Sequence, residues 1–226
     1  MNSCESAYSS VLKRIAAASA AAGLAQPARL VAVGKTKPPA ALRALAALGQ
    51  TAFGENYVQE ALAKQTALSD LPIEWHAIGP LQSNKCRDVA RHFDWLQTLD
   101  RAKLVELLAQ HRPEGRSPLN VLIQVNVDDE AAKSGCAPEA VAGLAALVAE
   151  RPTLRLRGLM AIPAPLPDLS RRRDAFARMR ALFDRLARND TNIDTLSMGM
   201  SDDFELAIAE GATMVRIGSA LFGKRD

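Results

Sequence analysis

The chain of 226 residues carries 28 Lys and Arg against 25 Asp and Glu, a net charge of +3, and is 48% hydrophobic and 23% charged. That balance is ordinary for a soluble globular protein, and the length is ample for a core in one large α/β domain or two small ones. The charge is too small to imply a nucleic-acid partner, no apolar run approaches a membrane span, and residues 1–6 lack the basic-then-apolar pattern of a secretory signal.

In chain order, a leading helix over 3–22 ends at Gly23, a C-cap residue. A strand over 29–35 then runs into Pro38, which cannot donate a ladder hydrogen bond and biases Lys37 out of the helical region. Alternation places Val31, Val33 and Lys35 on one face. A lysine there has two readings. Burial would disfavour its charged form and free the amine as a Schiff-base nucleophile. Alternatively, it is a loop lysine in water just past the strand end.

A helix over 40–48 ends at Gly49, and a second strand over 51–56 ends in polar Glu55 and Asn56. A helix follows over 57–68, then a third strand over 74–78, closed by Gly79-Pro80. Ser83 is expected to cap a helix reaching 91, ahead of a fourth strand over 93–97. Asp100 is expected to cap a helix to 110, and 111–118 is a loop. The fifth strand, 119–127, is rich in β-branched residues and leads into a charged loop over 128–135. Pro138 suits the first turn of a helix over 138–149. A sixth strand over 154–160 precedes a loop with Pro163, Pro165 and Pro167. A helix over 169–189, a strand over 195–198, a helix over 202–210, a strand over 213–217 and a short helical turn complete the chain.

Eight strands alternating with helices predict an α/β fold, a single (β/α)8 TIM barrel with an extra N-terminal helix, as one domain over 1–226. An open doubly wound sheet is the alternative. Cys4, Cys86 and Cys136 are odd in number and far apart, with no metal-ligand or disulfide spacing, which suits a reducing cytoplasmic setting. His76, His92 and His111 show no metal-ligand spacing.

A barrel of this kind places its site at the carboxyl ends of the strands. Those ends carry Lys35, then Asn56, His76, Asn126 with the loop lysine Lys133, Met160, the segment 197–201 and the segment 216–219. Two clusters suit an anion. Ser197 to Ser201 leads into a helix capped by Ser201 or Asp202, and Gly218-Ser219 follows the last strand. Each Gly/Ser pair alone is also plain turn chemistry. Together with Lys35, they suit a ligand bearing a phosphate and a carbonyl. Arg216, inside an apolar strand, needs a partner. It is either in a structural salt bridge, with Glu55 as a candidate, or a donor aimed into the barrel at a ring nitrogen or a carboxylate.

Several segments resemble the YggS/PROSC family of pyridoxal 5′-phosphate (PLP) homeostasis proteins. They are Val31-Ala32-Val33-Gly34-Lys35-Thr36-Lys37-Pro38, Phe53-Gly54-Glu55-Asn56-Tyr57-Val58-Gln59-Glu60 and Trp75-His76-Ala77-Ile78-Gly79-Pro80 with the residues to Lys85. Arg157-Gly158-Leu159-Met160-Ala161-Ile162-Pro163, Leu196-Ser197-Met198-Gly199-Met200-Ser201-Asp202-Asp203 and Val215-Arg216-Ile217-Gly218-Ser219-Ala220-Leu221-Phe222-Gly223 complete the set. The resemblance runs from about residue 5 to 224, in order, and together the motifs are highly specific. Gly34 departs from it, since the family more often has serine there.

The resemblance implies a barrel like the N-terminal domain of alanine racemases. Lys35 would hold PLP as a Schiff base. Ser201, Gly218 and Ser219 would bind the phosphate, and Arg216 would face the pyridine nitrogen. Asn56 and His76 would line the pocket, Met160 would pack near the ring, and Lys133 would be a second amine nearby. An arginine only donates, so the ring nitrogen stays neutral and the electron sink is weak. A racemase also needs a second base. Alanine-racemase-like enzymes supply a tyrosine from a further domain, which is not expected here, and Tyr8 and Tyr57 are the only tyrosines.

The expectation is therefore a cytoplasmic, monomeric PLP carrier that buffers or delivers the cofactor to PLP-dependent apo-enzymes, without robust catalysis. A low-activity amino-acid racemase is the alternative. Neither a membrane nor a nucleic acid is expected as a partner. The arginine-rich helix with Arg171, Arg172, Arg173, Arg178, Arg180, Arg185 and Arg188 carries Phe176, Met179, Phe183 and Leu186 on its other side, which reads as the solvated face of an outer helix.

Overall fold

The computed structural model describes residues 3–128, 134–164, 168–188 and 190–223. Its strands β1 (Arg29–Val33), β2 (Ala52–Glu55), β3 (Glu74–Ala77), β4 (Trp95–Leu99), β5 (Leu119–Gln124), β6 (Leu154–Met160), β7 (Thr195–Ser197) and β8 (Met214–Ile217) form a closed barrel in sequence order. Neighbouring strands are parallel, and β1 closes the ring against β8 with Val31 opposite Arg216. The helices alternate with the strands: α1 (Ser3–Ala21), α2 (Pro39–Ala47), α3 (Val58–Ala67), α4 (Cys86–His92), α5 (Ala102–His111), α6 (Val141–Ala149), α7 (Leu169–Ala187), α8 (Phe204–Ala209) and α9 (Ser219–Phe222). The closed ring replaces the open-sheet alternative.

Alternation along the strands makes two cores. Leu30, Ala32, Phe53, Leu96, Val121, Leu159 and Leu196 face outward and pack under the helices in the larger cluster. Val31, Ala52, Trp95, Leu122, Met160 and Met214 form a second cluster on the alternate positions, inside the barrel. Each fully buried side chain of this size contributes about 1.5–3 kcal/mol relative to exposure. On α7, Ala175, Phe176, Met179, Leu182 and Phe183 are buried at helical spacing, which sets the opposite face toward solvent.

Helix starts differ from expectation. Ser83 lies within a 3-10 turn (Ser83–Lys85) that precedes α4, and the residue before that turn, Gln82, makes no side-chain cap. Asp100 does not cap α5: the cap position is Arg101, one residue later, and Asp100 Oδ1 instead accepts from Arg101 Nη1 at 2.6 Å. The cap position of α8 is Asp203, not Ser201 or Asp202. Asp203 Oδ1 accepts from the amide of Met200 at 2.7 Å, which ties the loop back before the helix begins.

Candidate functional site

The lysine that follows β1 sits in a built turn. The strand ends at Val33, two residues earlier than alternation alone suggests, and Lys37 N donates to Gly34 O at 2.9 Å. Thr36 takes φ 65°, a left-handed conformation that is uncommon for a β-branched residue. Its amide donates to Glu60 Oε1 at 2.7 Å. From the other side, Lys64 Nζ donates to Gly34 O at 2.7 Å, to Glu55 Oε1 at 2.8 Å and to Glu60 Oε1 at 2.7 Å. The backbone flanking half-buried Lys35 is thus gripped on both sides by two side chains of α3, Glu60 and Lys64, and Glu55 of β2 holds Lys64 in place.

Glu55 and Lys64 are both buried. Burial pushes the Glu55 carboxyl up to about 7, against the hydrogen bond and charge of Lys64. A Cβ on Gly34 would stand 2.6 Å from Glu55 Oε1, so the glycine leaves the carboxylate its place.

A cavity of about 330 Å³ opens at the carboxyl ends of the strands. Lys35, Asn56, Ser201, Arg216, Gly218 and Ser219 all line it. The chain is brought together there by close backbone approach: any side chain on Gly79 would run into the backbone of Asn56. Ser201 Oγ accepts from Ala220 N at 3.3 Å, so the loops after β7 and β8 are joined. Ser219 begins α9, and the first amides of a helix have no intrahelical acceptor.

His76 and Met160, expected at the pocket, do not line it. His76 is fully buried inside the barrel, stacked on Trp95 with ring centroids 5.3 Å apart, and Met160 belongs to the interior apolar cluster. The inward positions that do reach the cavity are Ile78 and Ile162, each two residues further along. Two residues of strand rise about 6.6 Å, so the expectation was one side-chain layer too deep. Lys133 lies outside the described residues.

Arg216 is 4% exposed and does not pair with Glu55. Its Nη1 donates to Ser197 Oγ at 2.6 Å and its Nη2 to Ala161 O at 2.9 Å. Burial lowers its pKa to about 10, opposed by the charge of Asp203, so the guanidinium remains charged at neutral pH. The structural salt bridge with Glu55 is thus not formed, and Arg216 lines the cavity with its guanidinium held by two neutral acceptors.

Neither tyrosine lines the cavity. Tyr8 is buried and donates to Gln50 Oε1 at 3.3 Å. Tyr57 is 63% exposed, in the cap position of α3. Four arginines of α7 are engaged in ion pairs, Arg172 with Asp203, Arg173 with Glu210, Arg178 with Asp128 and Arg180 with Asp184. Sequence reasoning missed Lys37, which lines the cavity and donates to Phe222 O at 3.1 Å, and it missed Lys64. The i,i+4 spacing of Glu60 and Lys64 was a signal for the latter, though such pairs are usually a surface feature.

Comparison with known proteins places these residues in context. A family model described as alanine racemase, N-terminal domain, matches residues 10–226. A protein of Pseudomonas aeruginosa named "Pyridoxal phosphate homeostasis protein" is 56% identical over 218 residues, covering 96% of this chain and 93% of that one. One of the same name from Escherichia coli is 49% identical over 230 residues, covering 100% and 98%. PipY of Synechococcus elongatus, solved with PLP bound, matches with a TM-score of 0.79 at 38% identity, covering 92% of this chain and 100% of that chain. Alanine racemase from Corynebacterium glutamicum shares the fold, with a TM-score of 0.66 at 22% identity, over 95% of this chain and 62% of that one.

Proposed function

The chain belongs to the pyridoxal phosphate homeostasis proteins, within the family of the alanine racemase N-terminal domain, and from that premise we propose that it binds PLP and buffers or delivers it. The observation that carries this is the convergence of two lysine amines, Lys35 and Lys37, one buried guanidinium and two serines on a single cavity of about 330 Å³, with Lys37 already donating to Phe222 O. The donor set fits the three chemical ends of the cofactor. Lys35 Nζ would condense with the aldehyde carbon and release one water, leaving a Schiff base. Arg216 would donate to the ring nitrogen. Ser201, Gly218 and Ser219 would hold the phosphate, with Asn56 on the cavity wall. When bound, PLP supplies an electrophilic carbon and an electron-withdrawing ring.

The residues favour holding over turnover. Arg216 cannot pass a proton to the ring nitrogen at neutral pH, and neither tyrosine reaches the cavity to act as a second base. The racemase alternative is accordingly not favoured. We place the protein in the cytoplasm as a monomeric single domain over 1–226 that passes PLP to apo-enzymes. Its free cysteines suit a reducing compartment.

The test is a visible spectrum of the PLP-incubated protein. A visible absorbance band is expected in the wild type and lost in Lys35→Ala. No band in the wild type would sink the cofactor assignment, and robust racemization by the loaded protein would overturn the carrier assignment.

A further inference from the structure

The interior of the barrel holds polar side chains that a packed apolar core does not require. Gln97, His76 and Ser197 are each fully buried, at the level of Trp95 and Met214 and above. They are linked end to end. Arg216 Nη1 lies 2.6 Å from Ser197 Oγ, Ser197 Oγ 2.7 Å from Gln97 Oε1, Gln97 Nε2 3.0 Å from His76 Nδ1, and His76 Nε2 2.6 Å from Glu74 Oε1. At the far end Glu74 Oε1 also takes Arg29 Nη2 at 2.9 Å. Glu74 and Arg29 stand at the starts of β3 and β1, opposite the cavity.

The chemistry of the ends sets the direction of every link. Burial would raise the Glu74 carboxyl, but the hydrogen bond from His76 and the charge of Arg29 hold it down to about 2, so at neutral pH it only accepts. His76 Nε2 therefore carries hydrogen. Burial holds the imidazole pKa down, so the neutral ring leaves Nδ1 as a bare acceptor. Gln97 must turn its amide NH₂ to that nitrogen and its carbonyl to Ser197. Ser197 then donates to Gln97 and has a lone pair left for Arg216. Reversing Gln97 would set two acceptors against each other at His76. The chain is satisfied in one direction only, with all donors pointing from Arg216 toward Glu74.

We propose that Ser197, Gln97 and His76 are positioning residues for Arg216, a one-way hydrogen-bond chain anchored on Glu74 that holds the guanidinium as a donor to a neutral ring nitrogen of the bound heterocycle. The inference rests on the reading that Arg216 meets the ring of PLP. None of the three residues lines the cavity, so they act through Arg216.

Two measurements test it. In the protein without added cofactor, nitrogen NMR of His76 at pH 7 is expected to show hydrogen on Nε2 and a bare Nδ1; a doubly protonated ring, or hydrogen on Nδ1, overturns the chain. PLP titrations then compare the wild type with Gln97→Glu and Ser197→Ala. Gln97→Glu keeps the shape but turns a second acceptor toward His76, and the ring is expected to become doubly protonated. Both variants are expected to raise the dissociation constant for PLP about tenfold and to shift the visible band of the bound cofactor. Wild-type affinity and an unshifted band in the folded variants, even with lower thermal stability, reduce these residues to core packing and overturn the proposal. A wild type that forms no visible band fails the underlying cofactor reading instead.

Discussion

Lys64 Nζ lies 2.7 Å from the carbonyl oxygen of Gly34, so a buried ammonium on α3 holds the peptide that leads into Lys35. The same nitrogen binds Glu55 and Glu60, and Glu60 in turn takes the amide of Thr36. One cation thus organises both sides of the turn. Replacing it with a shape-similar neutral residue, Lys64→Met, strands Glu55 in the interior. The expected loss is about 1–3 kcal/mol in urea unfolding at pH 7, because Glu55, already raised to about 7, takes up a proton once Lys64 is gone and is left as a buried polar group short of its donor. PLP loading, read from the visible band of the protein that remains folded, should fall as well. Loading at wild-type affinity would show that the turn holds its shape without Lys64.

The one-layer offset at the barrel mouth separates two kinds of side chain. Met160 is fully buried in the interior cluster, whereas Ile162 is 38% exposed and lines the cavity. Met160→Ala should destabilise by about 2–5 kcal/mol through lost contacts and a cavity. Ile162→Ala should cost under about 1 kcal/mol, as surface substitutions do, while changing PLP affinity. Denaturant melts and cofactor titrations on the two variants distinguish these outcomes.

The phosphate seat can be read by comparing two ligands. If Ser201 and Ser219 bind the phosphate, Ser201→Ala and Ser219→Ala should weaken PLP while leaving pyridoxal, which lacks the phosphate, unchanged. A hydrogen bond to a charged group contributes about 1.5–3 kcal/mol, or roughly tenfold to a hundredfold in dissociation constant. Equal losses for the two ligands would place the serines elsewhere on the cofactor.

Two carboxyls, the buried Glu55 and the half-buried Glu74, give stability opposite pH dependences. Glu74 is held down to about 2 in the folded protein, below its ordinary 4.5. Between these values the unfolded chain binds more protons, so Glu74 contributes stability above pH 4.5 that is lost as pH falls toward 2. Glu55 is raised from 4.5 to about 7, so the folded protein binds more protons between those values. Its contribution is therefore full below pH 4.5 and is lost as pH rises through 7. Urea unfolding at a series of pH values, for the wild type against Glu74→Gln and Glu55→Gln, should show the two differences with opposite slopes.

Much of this was legible in the residues. The alternation of strands and helices sufficed for the barrel, and β6 begins and ends where its apolar pattern does. Lys35 and Arg216 were conspicuous because a charge inside an apolar strand demands a partner. What the residues did not carry was depth. Period-two alternation says which side chains point inward, but not which layer the cavity floor reaches, and His76 and Met160 fell below it. Nor does a pattern fix a helix start to the residue. Asp100 had the chemistry of a cap, but the cap position of α5 is Arg101, one residue later. Lys64 carried only one signal, its i,i+4 spacing from Glu60, which an exposed pair also shows; packing of α3 on β2 is what turns it inward.

The hydrogen bonds of Arg216 reach only neutral partners, Ser197 Oγ and Ala161 O, among the described residues. A cation so buried creates a standing positive potential under the mouth of the barrel, and salt screens it far less than it screens surface charge. Any anion that settles above it relieves part of the burden of keeping that charge out of water. Occupancy and fold stability are then one equilibrium: filling the mouth should raise the melting temperature, and emptying it leaves a barrel whose buried charge is offset only by the more distant Asp203.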